Sequence, residues 1–392
     1  MLAFMSQHRY SLMRGGLVHR LLQASGALRC GVRLSCWLAI LVALLSTLPL
    51  LLSCLAANTL WSTRAGMGLF GDYATLCRLL IALPLLVVAA PRADALLQTA
   101  LRQLSRASMV HPRRSVALDD WLATIRRLRD AWLPEVACVL IAFAPALSDP
   151  GTTNQMPGIA DWRWIGGDLT TAGRWYEGLS LPLFRLLLLL WLWRFLLWSI
   201  LLLQLPRLGL LVRPEHPDGA GGLAFLGDAQ QRFAVLSLAA GIVLGGACIN
   251  HIVYLGQPLS SMAHLLGGYV LGSTIALVAP LLLLSPAMLR ARRHALYRFG
   301  ALGSRAATQF EQRWRSTPTL PAADESLLDH GDASALADFG SIYHTLATMA
   351  VIPLSRWNLL SIALHAALPL CPLLLFAMSI DELVSKLLNI LV

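Results

Sequence analysis

Long apolar runs separated by shorter polar stretches rich in arginine dominate the chain. Seven runs reach, or nearly reach, the ~20 helical residues needed to cross the hydrocarbon layer of a bilayer. They lie near 34–57, 74–91, 132–148, 180–205, 232–255, 263–287 and 359–379. The run at 132–148 is the weakest, because Pro134, Glu135 and Pro145 interrupt it. A short or re-entrant span there would invert everything after it. The pattern predicts an all-α, polytopic integral membrane protein with about seven transmembrane helices and a helical cytoplasmic subdomain.

The polar intervals predict the remaining elements. Residues 1–33 interleave Arg9, Arg14, Arg20, Arg29 and Arg33 with Leu, Val and Met, as in a basic amphipathic arm on a membrane surface. Residues 34–287 carry helices one to six. Within them, the inner loop 92–131 predicts two amphipathic helices on an anionic leaflet, the second capped by Asp119 or Asp120. The outer loop 149–178 places Trp162, Trp164, Trp175 and Tyr176 in the headgroup belt, with a hairpin about Gly166-Gly167 as the alternative. Residues 288–358 set a basic helix beside an acidic segment bearing Asp324, Glu325, Asp329, Asp332 and Asp338. The two predict an electrostatic clasp in a cytoplasmic subdomain of about 70 residues, near the lower limit for independent folding. Residues 359–392 add helix seven and an outer amphipathic tail.

Charge changes this picture only by orienting it. The chain has 31 Lys+Arg against 21 Asp+Glu, a net charge of +10. With the N-terminus inside, 24 of the 31 basic residues fall in cytoplasmic segments, Arg232 at the edge of the fifth run included, while the outer loops hold only Arg64, Arg163 and Arg174. That is the positive-inside distribution, so the basic balance reflects the membrane and not nucleic acid. Charged residues make up 13% of the chain, about half the usual share of a soluble domain, and mean hydropathy is +0.64. Seven scattered cysteines form no C-x-x-C, which indicates neither a zinc site nor a disulfide framework.

Two stretches carry candidate chemistry. The fourth run holds Arg185 and Arg194, and a guanidinium within a spanning helix is costly enough to suggest a function. Nine residues apart, they point to opposite faces about 13 Å apart along the axis. Arg185 can reach the outer headgroups, whereas Arg194 lies deep. Trp191 and Trp198 share the face of Arg194 and offer cation–π contact. His251 and His365, together with a bound anion, complete a candidate anion pathway. The plainer reading pairs Arg194 with backbone carbonyls, or with Glu135 from a displaced third span.

The second stretch is the turn His216-Pro217-Asp218-Gly219-Ala220-Gly221-Gly222. Its glycines permit positive φ, and amides leading into a helix can bind a phosphate or lipid headgroup. The plainer reading is a tight turn in which Asp218 caps local amides. Elsewhere, Gly245-Gly246, Gly267-Gly268 and Gly272 predict close packing of helices five and six.

Ala172-Gly173-Arg174-Trp175-Tyr176, Ser180-Leu181-Pro182-Leu183-Phe184 and the HPDGAGGLAFLG stretch at 216–227 carry a resemblance, joined by 331–338. Over roughly the C-terminal 220 residues the chain resembles a family of uncharacterised bacterial multi-pass inner-membrane proteins. The resemblance implies a polytopic bacterial membrane protein and no catalytic role. This sequence has Gly219 where such proteins often carry a charged residue.

H-E-x-x-H, G-x-S-x-G and paired carboxylates within spans are missing, so no catalytic residue, metal or cofactor is expected. The leading expectation is binding or passage of a small anionic solute. A non-catalytic sensor or scaffold recruiting a partner through 288–358 comes second, and a headgroup enzyme using His216 and Asp218 third. Expected partners are membrane lipids, a small anion and a second copy of the chain, with no nucleic acid.

Overall fold

The computed structural model describes the chain apart from residues 1–30, 64–65, 107–109, 111–114, 149–157, 166, 316–330 and 378–392. Most of the basic arm, the acidic residues Asp324, Glu325 and Asp329, and the C-terminal amphipathic tail therefore lie outside the described residues. The rest is almost entirely helical. Among the described residues, five helical stretches are long and apolar enough to cross a membrane: Ser35–Ala56, Tyr73–Leu104, Thr171–Gln204, Ala224–Leu255 and Leu259–Leu282.

The first is α1 (Gly31–Ala56). The second joins α2 (Tyr73–Leu76), a π-helical turn (Cys77–Ala82) and α3 (Leu83–Arg106). The third joins α6 (Thr171–Trp175), a second π-helical turn (Tyr176–Ser180) and α7 (Leu181–Gln204). The fourth contains α8 (Ala224–Gln231) and α9 (Ala234–Leu255), and the fifth is α10 (Leu259–Leu282). The other two expected spans are less regular. The third run forms α5 (Trp132–Ser148), a helix of only 17 residues. The seventh breaks into α13 (Arg356–Ala367), a 3-10 turn (Leu368–Leu373) and α14 (Leu374–Ala377). Pro369 and Pro372 lack the amide protons that a continuous α-helix needs there.

Helix α9 belongs to the most enclosed of the five stretches and sits at the centre of the bundle. Its small residues explain why. A Cβ on Gly245 would lie 2.9 Å from the Pro369 carbonyl oxygen, and one on Gly246 would lie 2.7 Å from that of Tyr73. Neighbouring backbone therefore approaches where a side chain would stand. Helices five and six do pack together as expected, with Tyr269 of α10 donating to the Ser237 carbonyl of α9 and Cys248 and Met262 sharing one apolar cluster, but the glycine pairs are not the point of contact. The α9 glycines admit residues 73–74 and 369, whereas Gly267, Gly268 and Gly272 of α10 meet no described residue. On the periphery, α1 turns Trp37, Leu41, Leu44, Leu48, Leu52 and Leu55 outward. That apolar exposure suits lipid.

The inner loop also differs from its expectation. Helix α3 carries the second span on to Arg106 without a separate first helix. The following helix, α4 (Ser115–Asp130), starts before Asp119 and Asp120, which sit exposed within the helix instead of at its cap. Leu118, Leu122, Ile125 and Arg129 form its buried stripe. This stripe packs on the bundle, against α7, instead of lying on the leaflet.

At the end assigned to the outside by the arginine count, β1 (Gly66–Met67) pairs in parallel with β2 (Ala160–Asp161). β3 (Trp164–Ile165) and β4 (Asp168–Leu169) form an antiparallel hairpin, with Gly167 at φ +96°. The hairpin draws Trp162 and Tyr176 inward, to 2% and 1% exposure. These two aromatics are core residues and not members of a headgroup belt.

At the opposite end, α11 (Ser285–Arg315) and α12 (Gly331–Thr348) form a helical hairpin. Phe299 and Phe339 stack with ring centroids 6.1 Å apart, and Gly303 makes room for the Phe339 ring. Arg292 donates to the Ala347 carbonyl. Among the described residues, aromatic packing and this hydrogen bond join the helices; the acidic side chains of the expected electrostatic clasp, apart from Asp338, lie outside the described residues.

Candidate functional site

The layer beneath the two strand pairs is fixed by one buried carboxylate. Asp72 caps α2 and accepts hydrogen bonds from the Thr75 amide (3.1 Å), the Thr75 hydroxyl (2.7 Å), Trp162 Nε1 (3.2 Å) and Asn250 Nδ2 (2.9 Å). Asn250 in turn accepts from the Tyr73 amide (2.9 Å). Four neutral donors converge on this one carboxylate, and Arg163 acts on it from farther off. They also tie three segments distant in sequence, 72–75, 162 and 250, to one point.

Beside this network lies a group of arginines. The Arg163 amide donates to Asp161 Oδ1 at 3.2 Å, while Nε (2.6 Å) and Nη2 both donate to Oδ2. Burial works against the charge of Arg163, but the Asp161 carboxylate outweighs it and holds the guanidinium above its ordinary range. Arg163 Nη1 lies 3.8 Å from Glu177 Oε1. Its guanidinium also lies over the rings of Trp162 and Tyr176, at 5.8 and 5.6 Å. Arg78 donates to the Tyr176 hydroxyl and stands over the Phe184 ring at 5.9 Å. Arg185 acts electrostatically on Glu177, as Arg78 and Arg163 do. Its Nη1 is buried and meets no hydrogen-bond acceptor among the described residues.

Both π-helical turns meet in this group. One carries Arg78 and the other carries Tyr176 and Glu177, and the Arg78–Tyr176 hydrogen bond joins them. A π turn is rare, is weaker than the α-helix it interrupts, and is found frequently at functional sites. Two converging on one cluster mark it as the candidate site. Of the expected pathway residues, only Arg185 belongs to it.

Arg194 lies towards the other end of α7. Its Nη2 is 3.7 Å from Glu135 Oε1, the two side chains being 8% and 2% exposed. Glu135 sits in the first turn of α5, so the α4–α5 junction delivers a carboxylate to the level of Arg194. Arg129 and Asp130 form a bidentate pair nearby, at 2.8 and 2.7 Å. The two tryptophans expected to hold Arg194 donate elsewhere: Trp191 Nε1 to the Leu86 carbonyl (3.1 Å) and Trp198 Nε1 to Gln230 Oε1 (2.6 Å). His365 Nδ1 lies 2.6 Å from the Ser361 carbonyl of its own helix. His251 follows Asn250 in the layer that Asp72 fixes. The fold therefore spreads the expected pathway residues over both ends of the bundle.

In the 216–222 turn, Asp218 Oδ1 accepts from the amides of Ala220 and Gly222, both at 2.9 Å, and Oδ2 from that of Ala224 at 3.1 Å. His216 Nδ1 lies 3.0 Å from Oδ1. Gly219, Gly221 and Gly222 all have positive φ. The Asp218 carboxylate thus occupies the amide nest that a headgroup would need, and the plainer reading of the turn holds. The Gly219 carbonyl then accepts from the Ala350 amide (2.8 Å), docking the segment after α12.

Sequence reasoning passed over Arg78, Asp161, Glu177 and Asp72. Arg78 had a usable signal, since it too is an arginine within an apolar run. The others are ordinary loop or helix-end residues until the fold gathers them. No family model, curated protein or solved structure matches the chain.

Proposed function

We propose that this chain is a multi-pass inner-membrane protein, with seven spans and its N-terminus inside, that binds or passes a small anionic solute. The observation that carries the reading is the outer cluster, where Arg78, Arg163 and Arg185 surround Glu177 between two π-helical turns. Arg163 is committed to Asp161, and Arg78 spends a donor on a neutral phenol. Arg185 retains a buried N–H without an acceptor among the described residues, and an anion would supply one. The arginine-rich inner segments would then concentrate anions at the opposite face. Arg194, paired with Glu135, contributes to the bundle and is not the anion's ligand.

Uptake of chloride, nitrate and acetate into proteoliposomes tests this reading, comparing the wild type with Arg185→Ala. Flux in the wild type that the variant loses supports it. Absence of flux in folded wild-type protein removes it. The scaffold reading is favoured by one feature: the α11–α12 hairpin leaves Tyr297, Leu302, Ile342 and Tyr343 exposed.

A further inference from the structure

We propose that anion binding at the outer cluster is coupled to protonation of Glu177, so that each monovalent anion enters with one proton. The inference rests on the anion-binding reading above and names its coupling group. Among the described residues, Glu177 is the one carboxylate of the cluster that strong partners do not already fix. Asp161 is held by three Arg163 donors, and Asp72 by four neutral ones. Glu177 has Arg163 Nη1 only at 3.8 Å, beyond hydrogen-bonding distance, and its side chain is 12% exposed.

The groups acting on Glu177 come from every neighbouring element. Arg78 comes from the first π turn, Arg163 and Asp161 from the strand segment, and Arg185 from α7. Tyr176 precedes it on its own turn, and Asp72 and Cys77 stand behind Arg163 and Arg78. With all carboxylates ionised, three guanidinium groups face Asp72, Asp161 and Glu177, and the cluster is neutral. An arriving monovalent anion would leave a net negative charge in a poorly solvated place. Protonation of Glu177 restores neutrality, frees its share of the Arg185 and Arg78 field, and turns an acceptor into a donor for the anion. The balance is one proton from the outer solution onto a Glu177 carboxyl oxygen and one anion onto the arginines. Release of both restores the ionised glutamate.

Calorimetric titration of the purified full-length protein with chloride, nitrate or acetate between pH 6 and 8 tests this. Repeating it in two buffers of different ionisation enthalpy counts the protons. The wild type should take up close to one proton per anion and lose affinity about tenfold per pH unit wherever free Glu177 is ionised. Glu177→Gln should bind with an affinity that no longer depends on pH and with no proton uptake. Binding by wild type without proton uptake would overturn the coupling and leave the anion site standing. So would proton uptake that persists in Glu177→Gln. Failure of folded wild type to bind any of the three anions would overturn both. The buffer comparison on wild type decides the matter even if the variant does not fold.

Discussion

Glu135 and Arg194 meet at 3.7 Å although they stand on different helices, α5 and α7, and both side chains are buried. Arg194 is about ten residues, or roughly 15 Å, from the end of α7. A charge at such depth persists because α4 folds back along α7 and starts α5 at that level. The pair closes a polar patch inside the bundle and fixes how α5 packs.

Removing one partner should therefore be worse than removing both. Arg194→Ala takes the guanidinium away from a buried carboxylate and should cost about 3–5 kcal/mol. Arg194→Met combined with Glu135→Leu should recover most of this. Thermal unfolding midpoints in detergent check the comparison, and the double variant should retain anion flux.

Arg185→Ala should leave the fold intact, since no described acceptor depends on Arg185 Nη1. Anion affinity should fall by at least about tenfold, equivalent to roughly 1.4 kcal/mol. Arg163→Ala should behave differently. It strands Asp161 and should lower the unfolding midpoint, whatever it does to binding.

The 216–222 turn should be acid-sensitive. Burial works against the Asp218 carboxylate, but the amides of Gly222, Ala220 and Ala224, with His216, hold its pKa below the ordinary value. A depressed folded-state pKa contributes stability that is present above the unfolded value, about 3.9, and is lost as pH falls through the folded one. Asp218→Ala should thus destabilise by about 1–3 kcal/mol near neutrality. The gap from wild type should close in unfolding scans carried below about pH 4.

Two glycines on neighbouring helices should respond oppositely to alanine. A Cβ at Gly246 would stand 2.7 Å from the Tyr73 carbonyl oxygen and 3.0 Å from Ala74 Cα, so backbone must shift. Gly246→Ala should cost about 1–3 kcal/mol. Gly268 meets no described residue within 4 Å, and Gly268→Ala should be neutral or stabilising by up to about 1 kcal/mol through helix propensity. Unfolding midpoints of the two variants separate the cases.

Much of the architecture was legible in the residues themselves. Hydropathy located the five long helices, because the length of apolar chain that a bilayer demands is a local property. The hairpin through Gly167 and the Asp218 cap were legible for the same reason, since both are made by residues a few positions apart. Even there, the aromatics around the hairpin suggested a membrane belt, and only packing showed Trp162 and Tyr176 turned inward. The tertiary structure alone decided which elements touch. Small residues in α9 announced close packing but not that the neighbours would be Tyr73 and Pro369. Arg194 announced a need for a counter-charge but not that α5 would bring Glu135 to its depth. The π turns that join Arg78 to Tyr176 leave no periodic trace. A one-residue slip in helical register keeps the composition and changes only the direction in which side chains point. Sequence determined what each segment is able to bury. Three-dimensional packing determined against what, because contacts between distant segments depend on geometry that no local pattern encodes.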